Sequence, residues 1–225
     1  MLALQLVGCR PAVASSAPES WRTGAETGAA ALEDGNAATA RQRLLRAIEL
    51  AEEEDAPPIE RARLLVQLAK THRAEGDYPR TVQTYREALA VAEEGPATDD
   101  LVLLQAEVLT ELGNVYFPLR RPQDGLEALE EGLRLRRQVL DPAAPQVIES
   151  LELLGVAYGE TNALEQAERL LREAADLVSG SPTASPEEKA GPLFSLSAIL
   201  KRQGRRAEAD EIRERALRLM NTNSD

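Results

Sequence analysis

The chain repeats itself, and no other feature of it restricts the fold as much. Leu112-Gly113-Asn114-Val115-Tyr116 and Leu154-Gly155-Val156-Ala157-Tyr158 are two versions of one pattern, 42 residues apart. A further 42 residues lead to Ser197, inside Leu196-Ser197-Ala198-Ile199-Leu200. Going back 44 from Gly113 reaches Ala69, and 41 more reaches Gly28. The second half of the unit recurs too. Twelve residues past each of these small residues stand Ala40, Thr81, Gly125, Ala167 and Ala209. Seven further on stand Ala47, Ala88, Gly132, Ala174 and Ala216. A sequence with such a period is a stack of like units, each of which buries its apolar face against its neighbours.

The spacing describes helical hairpins. Two helices approach closely only where the side chains at the contact are small. A small residue midway along a first helix therefore lies against one near the start of a second. Larger residues at +3 from the first small site (Tyr116, Tyr158, Leu200) and at +16 (Leu44, Tyr85, Leu129, Leu171) fill the space between units. Pro79 and Pro122 fall at starts of second helices, where a missing N–H costs nothing. Ser185-Pro186-Glu187-Glu188 reads as a capping box. Pro57-Pro58, Pro96, Pro142 to Pro145 and the 179–185 stretch punctuate the units. The expected fold is all-α, a right-handed superhelical solenoid of about five hairpins, over residues 18–55, 59–95, 101–140, 145–179 and 186–220. The first is rich in Ala and Gly from Gly24 to Gly35 and is expected to fray or pack loosely. Pro192 should kink the fifth unit's first helix or delay its start. The last helix has Arg213 where stacking wants an apolar group, so it is expected to cap the solenoid, with 221–225 as a tail.

Composition removes several functions. The formal charge is −12 and only 3% of residues are aromatic, which argues against phosphate neutralisation and base stacking, so no nucleic-acid partner is expected. One Cys and one His exclude a disulfide framework and a Cys/His zinc site, and no metal or cofactor is expected. No apolar run reaches the roughly 18 residues of a membrane span. His72 stands at the +3 position that Tyr116 and Tyr158 fill elsewhere, which makes it a packing residue. Acidic runs such as Glu52-Glu53-Glu54-Asp55 lie at helix ends and read as solvated charge. Neither GxxxxGK[ST] nor GxGxxG occurs. The chain is not expected to be an enzyme, although its many carboxylates leave acid–base work as a third reading.

The order Leu-Gly, Tyr, Ala, a large apolar residue, then Ala resembles the signature of the tetratricopeptide repeat family. The period near 42 resembles the longer repeats of the kinesin light chain type, as does Leu133 to Leu154, with its helix end, Asp141-Pro142 link and new helix. The resemblance covers roughly residues 18–220. It implies a concave groove lined by the first helix of each hairpin, at −6, −3, +1 and +4 from the small residue. In this chain those positions hold Arg63, Val66, Lys70 and Arg73; Glu107, Thr110, Asn114 and Phe117; Glu149, Glu152, Val156 and Gly159; and Gly191, Phe194, Ala198 and Lys201. One end would be basic (Arg63, Lys70, Arg73), with all three side chains able to reach one ligand. The middle would be acidic (Glu107, Glu149, Glu152), with Thr110, Asn114 and Lys201 as further polar contacts and Phe117 and Phe194 as apolar anchors. Val66 and Lys70 do not match the clamp of the chaperone-tail-binding group, so no chaperone partner is expected. Only Asn114 carries the +1 Asn with which the kinesin light chain group holds cargo peptides.

Ahead of the repeats, Leu6-Val7-Gly8-Cys9 resembles the lipobox of bacterial lipoproteins, in which the Cys is acylated, and 1–17 would be signal and tether. The alternative is a cytosolic N-terminus with an incidental thiol. Together these readings describe a scaffold that binds a partner peptide or helix, lipid-anchored in a bacterial envelope through Cys9 or cytoplasmic. The alternative function is a self-assembling structural protein of the envelope, packed through Gly28, Ala40 and Leu44.

Overall fold

A computed structural model describes residues 20–221. Cys9 and the segment around it lie outside the described residues, as does the end of the expected tail. Among the described residues there are ten α-helices and no strand. In order they are α1 (Trp21–Glu33), α2 (Ala37–Glu53), α3 (Pro58–Ala74), α4 (Tyr78–Glu93), α5 (Asp99–Tyr116), α6 (Pro122–Val139), α7 (Pro145–Glu160), α8 (Leu164–Gly180), α9 (Pro186–Arg202) and α10 (Arg206–Asn221). Consecutive helices pair into five hairpins, and each hairpin packs on the next. The result is an all-α helical-repeat solenoid.

Every hairpin turns by the same device. The residue seven past the small site has a left-handed backbone: Gly35 (φ 75°), Gly76 (77°), Arg120 (56°), Asn162 (64°) and Gly204 (82°). Its N–H donates three residues back and the next N–H donates five back, as in Gly76 to Arg73 and Asp77 to His72, both at 2.9 Å. These bonds satisfy carbonyls that the end of the first helix would otherwise leave open. Second helices then start on local caps. Asn36 and Asp77 accept from the backbone N–H of Thr39 and Arg80, and Pro79 and Pro122 occupy first turns. The α9 capping box is complete, Ser185 and Glu188 each accepting the other's backbone N–H.

The small residues set how closely the helices approach. A Cβ on Gly113 would stand 2.5 Å from Leu129 Cγ and 3.1 Å from the Gly125 carbonyl oxygen. On Gly155 it would stand 2.7 Å from Leu171 Cγ and 3.4 Å from the Ala167 oxygen. The +16 leucine thus covers the small site of its own hairpin, and the +12 residue meets it through its backbone. The same leucines reach the next unit. Leu44 joins Leu64 and Leu68, Leu129 joins Leu151 and Leu154, and Leu171 joins Leu196 and Leu200. Each such burial is worth about 1.5–3 kcal/mol.

Three expectations are corrected. The first hairpin does not pack loosely. Gly24 and Gly28 leave no room for a Cβ, which would stand 2.9 Å from Ala47 Cβ and 2.8 Å from Leu44 Cγ, and Trp21 is buried. Gly28, Ala40 and Leu44 are therefore buried, in their own hairpin and, for Leu44, against Leu64 and Leu68 of the next, and none is exposed to a second copy. The fifth unit's first helix does not start late, because α9 runs from Pro186 through a buried Pro192 to Arg202. His72 is buried beside Glu75, with Nδ1 3.6 Å from the carboxylate, and Arg213 is exposed on α10.

Candidate functional site

The first helices α3, α5, α7 and α9 follow one another along one face. Contact is made from α3 to α5 and from α7 to α9, but α5 and α7 do not pack closely. A pocket of about 530 Å³ opens at that gap. Its walls are Arg63 of α3, Asp100, Leu103, Leu104, Glu107, Thr110, Glu111 and Asn114 of α5, and Gln146, Glu149 and Leu153 of α7. The twelfth lining residue, Arg136, comes from the second helix α6. Five residues expected from the repeat register thus converge here: Arg63, Glu107, Thr110, Asn114 and Glu149.

Their charges are arranged differently from the expectation. Arg63, Lys70 and Arg73 do not form a free basic end. Arg63 pairs with Glu60 at 3.2 Å, Lys70 with Glu107 at 2.7 Å, and Arg73 with Glu111. The latter two pairs cross from α3 to α5. The helices stand one repeat apart, so a long basic side chain on one meets a carboxylate on the next. Thr110 is buried and its hydroxyl donates to the Ala106 carbonyl at 2.8 Å, so it shapes the wall without presenting a free donor. Asn114 is exposed in the pocket, and among the described residues no partner holds its amide.

A second pocket, of about 560 Å³, adjoins the first through Gln146 and Glu149, which line both. Its floor is apolar (Ala143, Pro145, Ile148, Val178, Ala184), its rim holds Glu149, Glu152 and Glu188, and no basic residue lines it. Glu152 accepts a hydrogen bond from the Ser195 hydroxyl at 2.9 Å. Phe117 and Phe194 are not groove anchors. The Phe117 ring fills the space over Gly125, where a Cβ would stand 2.7 Å from its Cε2. Phe194 is half-buried against Ala175, Leu193 and Ala216. Lys201 is exposed. Val156, also mapped to the groove, is 41% exposed and is an apolar contact that remains available.

Arg136, on the second helix α6, lies outside the groove positions that the first helices supply. It is only 8% exposed. Its Nη1 donates to the Gln146 carbonyl at 3.1 Å and to the Ser150 hydroxyl. Burial pulls its pKa below the usual guanidinium value, while Glu149 and Glu107 act the other way through space. Among the described residues no carboxylate lies within ion-pair distance of it. The repeat register contains the signal that marks it. Twenty-three residues past each small site stand Ala51, Ala92, Arg136, Val178 and Met220. Ala51, Ala92 and Val178 are buried apolar core. The third unit alone puts a cation at a core position. Among the described residues no group of three or more His, Cys, Asp or Glu is arranged to hold a metal ion.

Family models for the tetratricopeptide repeat match residues 104–179 and 64–97. Among solved structures, the chain is similar to BtubC (BKLC) from P. vanneervenii, with TM-score 0.81 and 17% identity over 89% of this chain and 80% of that one. It is similar to the nearly identical TPR-like repeats of a putative kinesin light chain from Podosopora anserina, with TM-score 0.75 and 18% identity over 91% and 97%. It is also similar to residues 41 to the end of MamA from Desulfovibrio magneticus RS-1, with TM-score 0.67 and 20% identity over 91% and 97%. At these identities the likeness concerns the fold. No curated protein sequence matches the chain.

Proposed function

The chain is a tetratricopeptide repeat protein, and we propose that it is a non-enzymatic scaffold that holds a segment of a partner protein across α5 and α7. The observation that carries this reading is the polar pocket in the gap between those helices. Elsewhere along the face, neighbouring first helices pack more closely. Between α5 and α7 lies a pocket whose Asn114 amide can both donate to and accept from a peptide backbone, with Leu103, Leu104 and Leu153 as apolar walls. An open, largely polar pocket of this size suits side chains of a bound segment better than an enclosed substrate.

The test is a paired affinity purification from the source cells. Asn114→Arg with Glu149→Arg blocks the pocket on exposed positions and leaves the core alone. Glu173→Arg, on α8, serves as the control. Proteins that copurify with the wild type should be lost with the groove variant and kept with the control. Equal recovery with both variants removes the groove assignment.

The lipobox-like Leu6-Val7-Gly8-Cys9 supports a lipid-anchored placement of this scaffold in a bacterial envelope. Intact mass of the protein from its own cells tests it. An acylated Cys9 with residues 1–8 removed is the expected result, and an unmodified chain from Met1 makes it a cytosolic adaptor.

A further inference from the structure

We infer that the groove recognises its partner segment by an acidic side chain seated on Arg136, with a basic side chain of the same segment directed to Glu149. This rests on the groove reading above and adds the chemistry of what the groove accepts.

The charge balance of the pocket leads to Arg136. Glu107 is occupied by Lys70, Glu111 by Arg73, and Arg63 by Glu60. The charged lining residues left without an ion pair, among those described, are Arg136, Glu149 and Asp100. Asp100 lies in the first turn of α5, where the helix dipole already favours a carboxylate. Arg136, in the last turn of α6, is favoured by that helix's dipole in the same way, but it is buried whereas Asp100 is exposed to water. A guanidinium carries five N–H donors, and both of its direct hydrogen bonds here are made by Nη1. The Nε and Nη2 edge is the one that binds a carboxylate in the two-pronged manner.

Arg136 is also not required by its surroundings. Ser150 donates to the Gln146 carbonyl at 2.8 Å independently of it, so removing the guanidinium leaves neither group unsatisfied. The units before and after carry Ala92 and Val178 at the same register position, both buried and apolar. A buried cation that breaks the repeat's own rule, costs desolvation and bonds only to groups that do not depend on it is explained by a ligand anion. Glu149 stands beside it and lines the adjoining pocket, whose rim is acidic and whose floor is apolar. The stem of a Lys or Arg side chain fits that floor, with its head at Glu149. The two charges together fix the direction in which the segment lies.

The test is a selection of displayed random short peptides on the wild-type protein. Enriched peptides should share an Asp or Glu at one position, with a Lys or Arg nearby. Arg136→Met should weaken a selected synthetic peptide by about tenfold or more, as for loss of a charged hydrogen bond. Its melting temperature should be no lower than that of the wild type. Repeating the selection on Arg136→Glu should replace the acidic residue of the pool by a basic one. Enriched peptides without an acidic residue, or with affinity indifferent to Arg136→Met, overturn this inference and leave the groove reading in place. A markedly lower melting temperature for Arg136→Met also overturns it, since Arg136 would then be holding the seam. A selection that enriches nothing removes the groove reading and this inference with it.

Discussion

Arg120 shows how strictly the repeat imposes its backbone. Its position in the turn demands a left-handed conformation, which the other units give to Gly35, Gly76, Asn162 and Gly204. A side chain with a Cβ costs roughly 1–2 kcal/mol there. Among the described residues, the exposed Arg120 side chain has no hydrogen-bond or ion-pair partner that would offset this. Arg120→Gly should therefore stabilise the protein by up to about 1 kcal/mol, after the extra freedom glycine gives the unfolded chain. A thermal melt should show a rise of a few degrees, and a fall would mean that the arginine has a stabilising contact of its own. Arg136 departs from the register in the opposite sense, with a polar group where the repeat wants an apolar one. Both departures are visible in the sequence once the five units are aligned at every position. Arg136 sits on a second helix, outside the groove positions of the register, and only the structure shows a second-helix side chain passing into the groove.

At the scale of one hairpin, the contact between helices rests on missing atoms. Gly113→Ala would push a methyl group against Leu129 and the backbone of α6, with Gly125 unable to retreat. It should cost about 1–3 kcal/mol. Gly180→Ala is the matched control. Nothing lies within 4 Å of its Cβ position, and it ends α8, so the change should be neutral or slightly favourable. Chemical denaturation of both variants checks the pair, and equal effects would mean that closeness is not what the small residues provide. This part of the fold was legible because a small residue leaves its mark at a fixed interval. The groove was legible only in part. Its wall positions follow from the register, and five of the expected residues line the pocket. Which charges remain available does not follow, because Lys70 and Arg73 are taken up by Glu107 and Glu111 of the next unit. Phe117 went astray for a reason written in the chain. Gly125 is the only glycine at the +12 position, and the ring turned to fill the space that Ala40, Thr81, Ala167 and Ala209 fill elsewhere.

At the scale of the molecule, the described helices pack chiefly within a hairpin and on the neighbouring hairpin, so stability is close to a sum of unit and interface contributions. The final helix is the weak end. The residues that α10 buries are Ala209 and Ala216, while α5 buries nine. It is tied to α8 by a compact charge network: Arg172 with Glu208 at 2.6 Å, Arg205 with Glu168 at 2.7 Å, and Arg172 with Glu168 at 2.8 Å. Burial works against the Glu168 carboxylate, but hydrogen bonds from Arg205, Gln203 and Arg172 outweigh it and bring its pKa down to about 2. A folded pKa below the unfolded value of 4.5 means that the proton binds the unfolded chain more readily. The stabilisation is complete above about pH 4.5 and is lost as the pH falls toward 2. Because units melt by neighbourhood, the loss should be local at first. Peptide-resolved hydrogen exchange should show α9 and α10 opening on acidification while α5 and α6 remain protected. Glu168→Gln should lower the melting temperature at pH 7 and remove the part of its acid dependence that falls between 4.5 and 2. Acid exchange that rises evenly along the chain, or a Glu168→Gln protein with the full wild-type acid dependence, would show that this network does not hold the end of the solenoid.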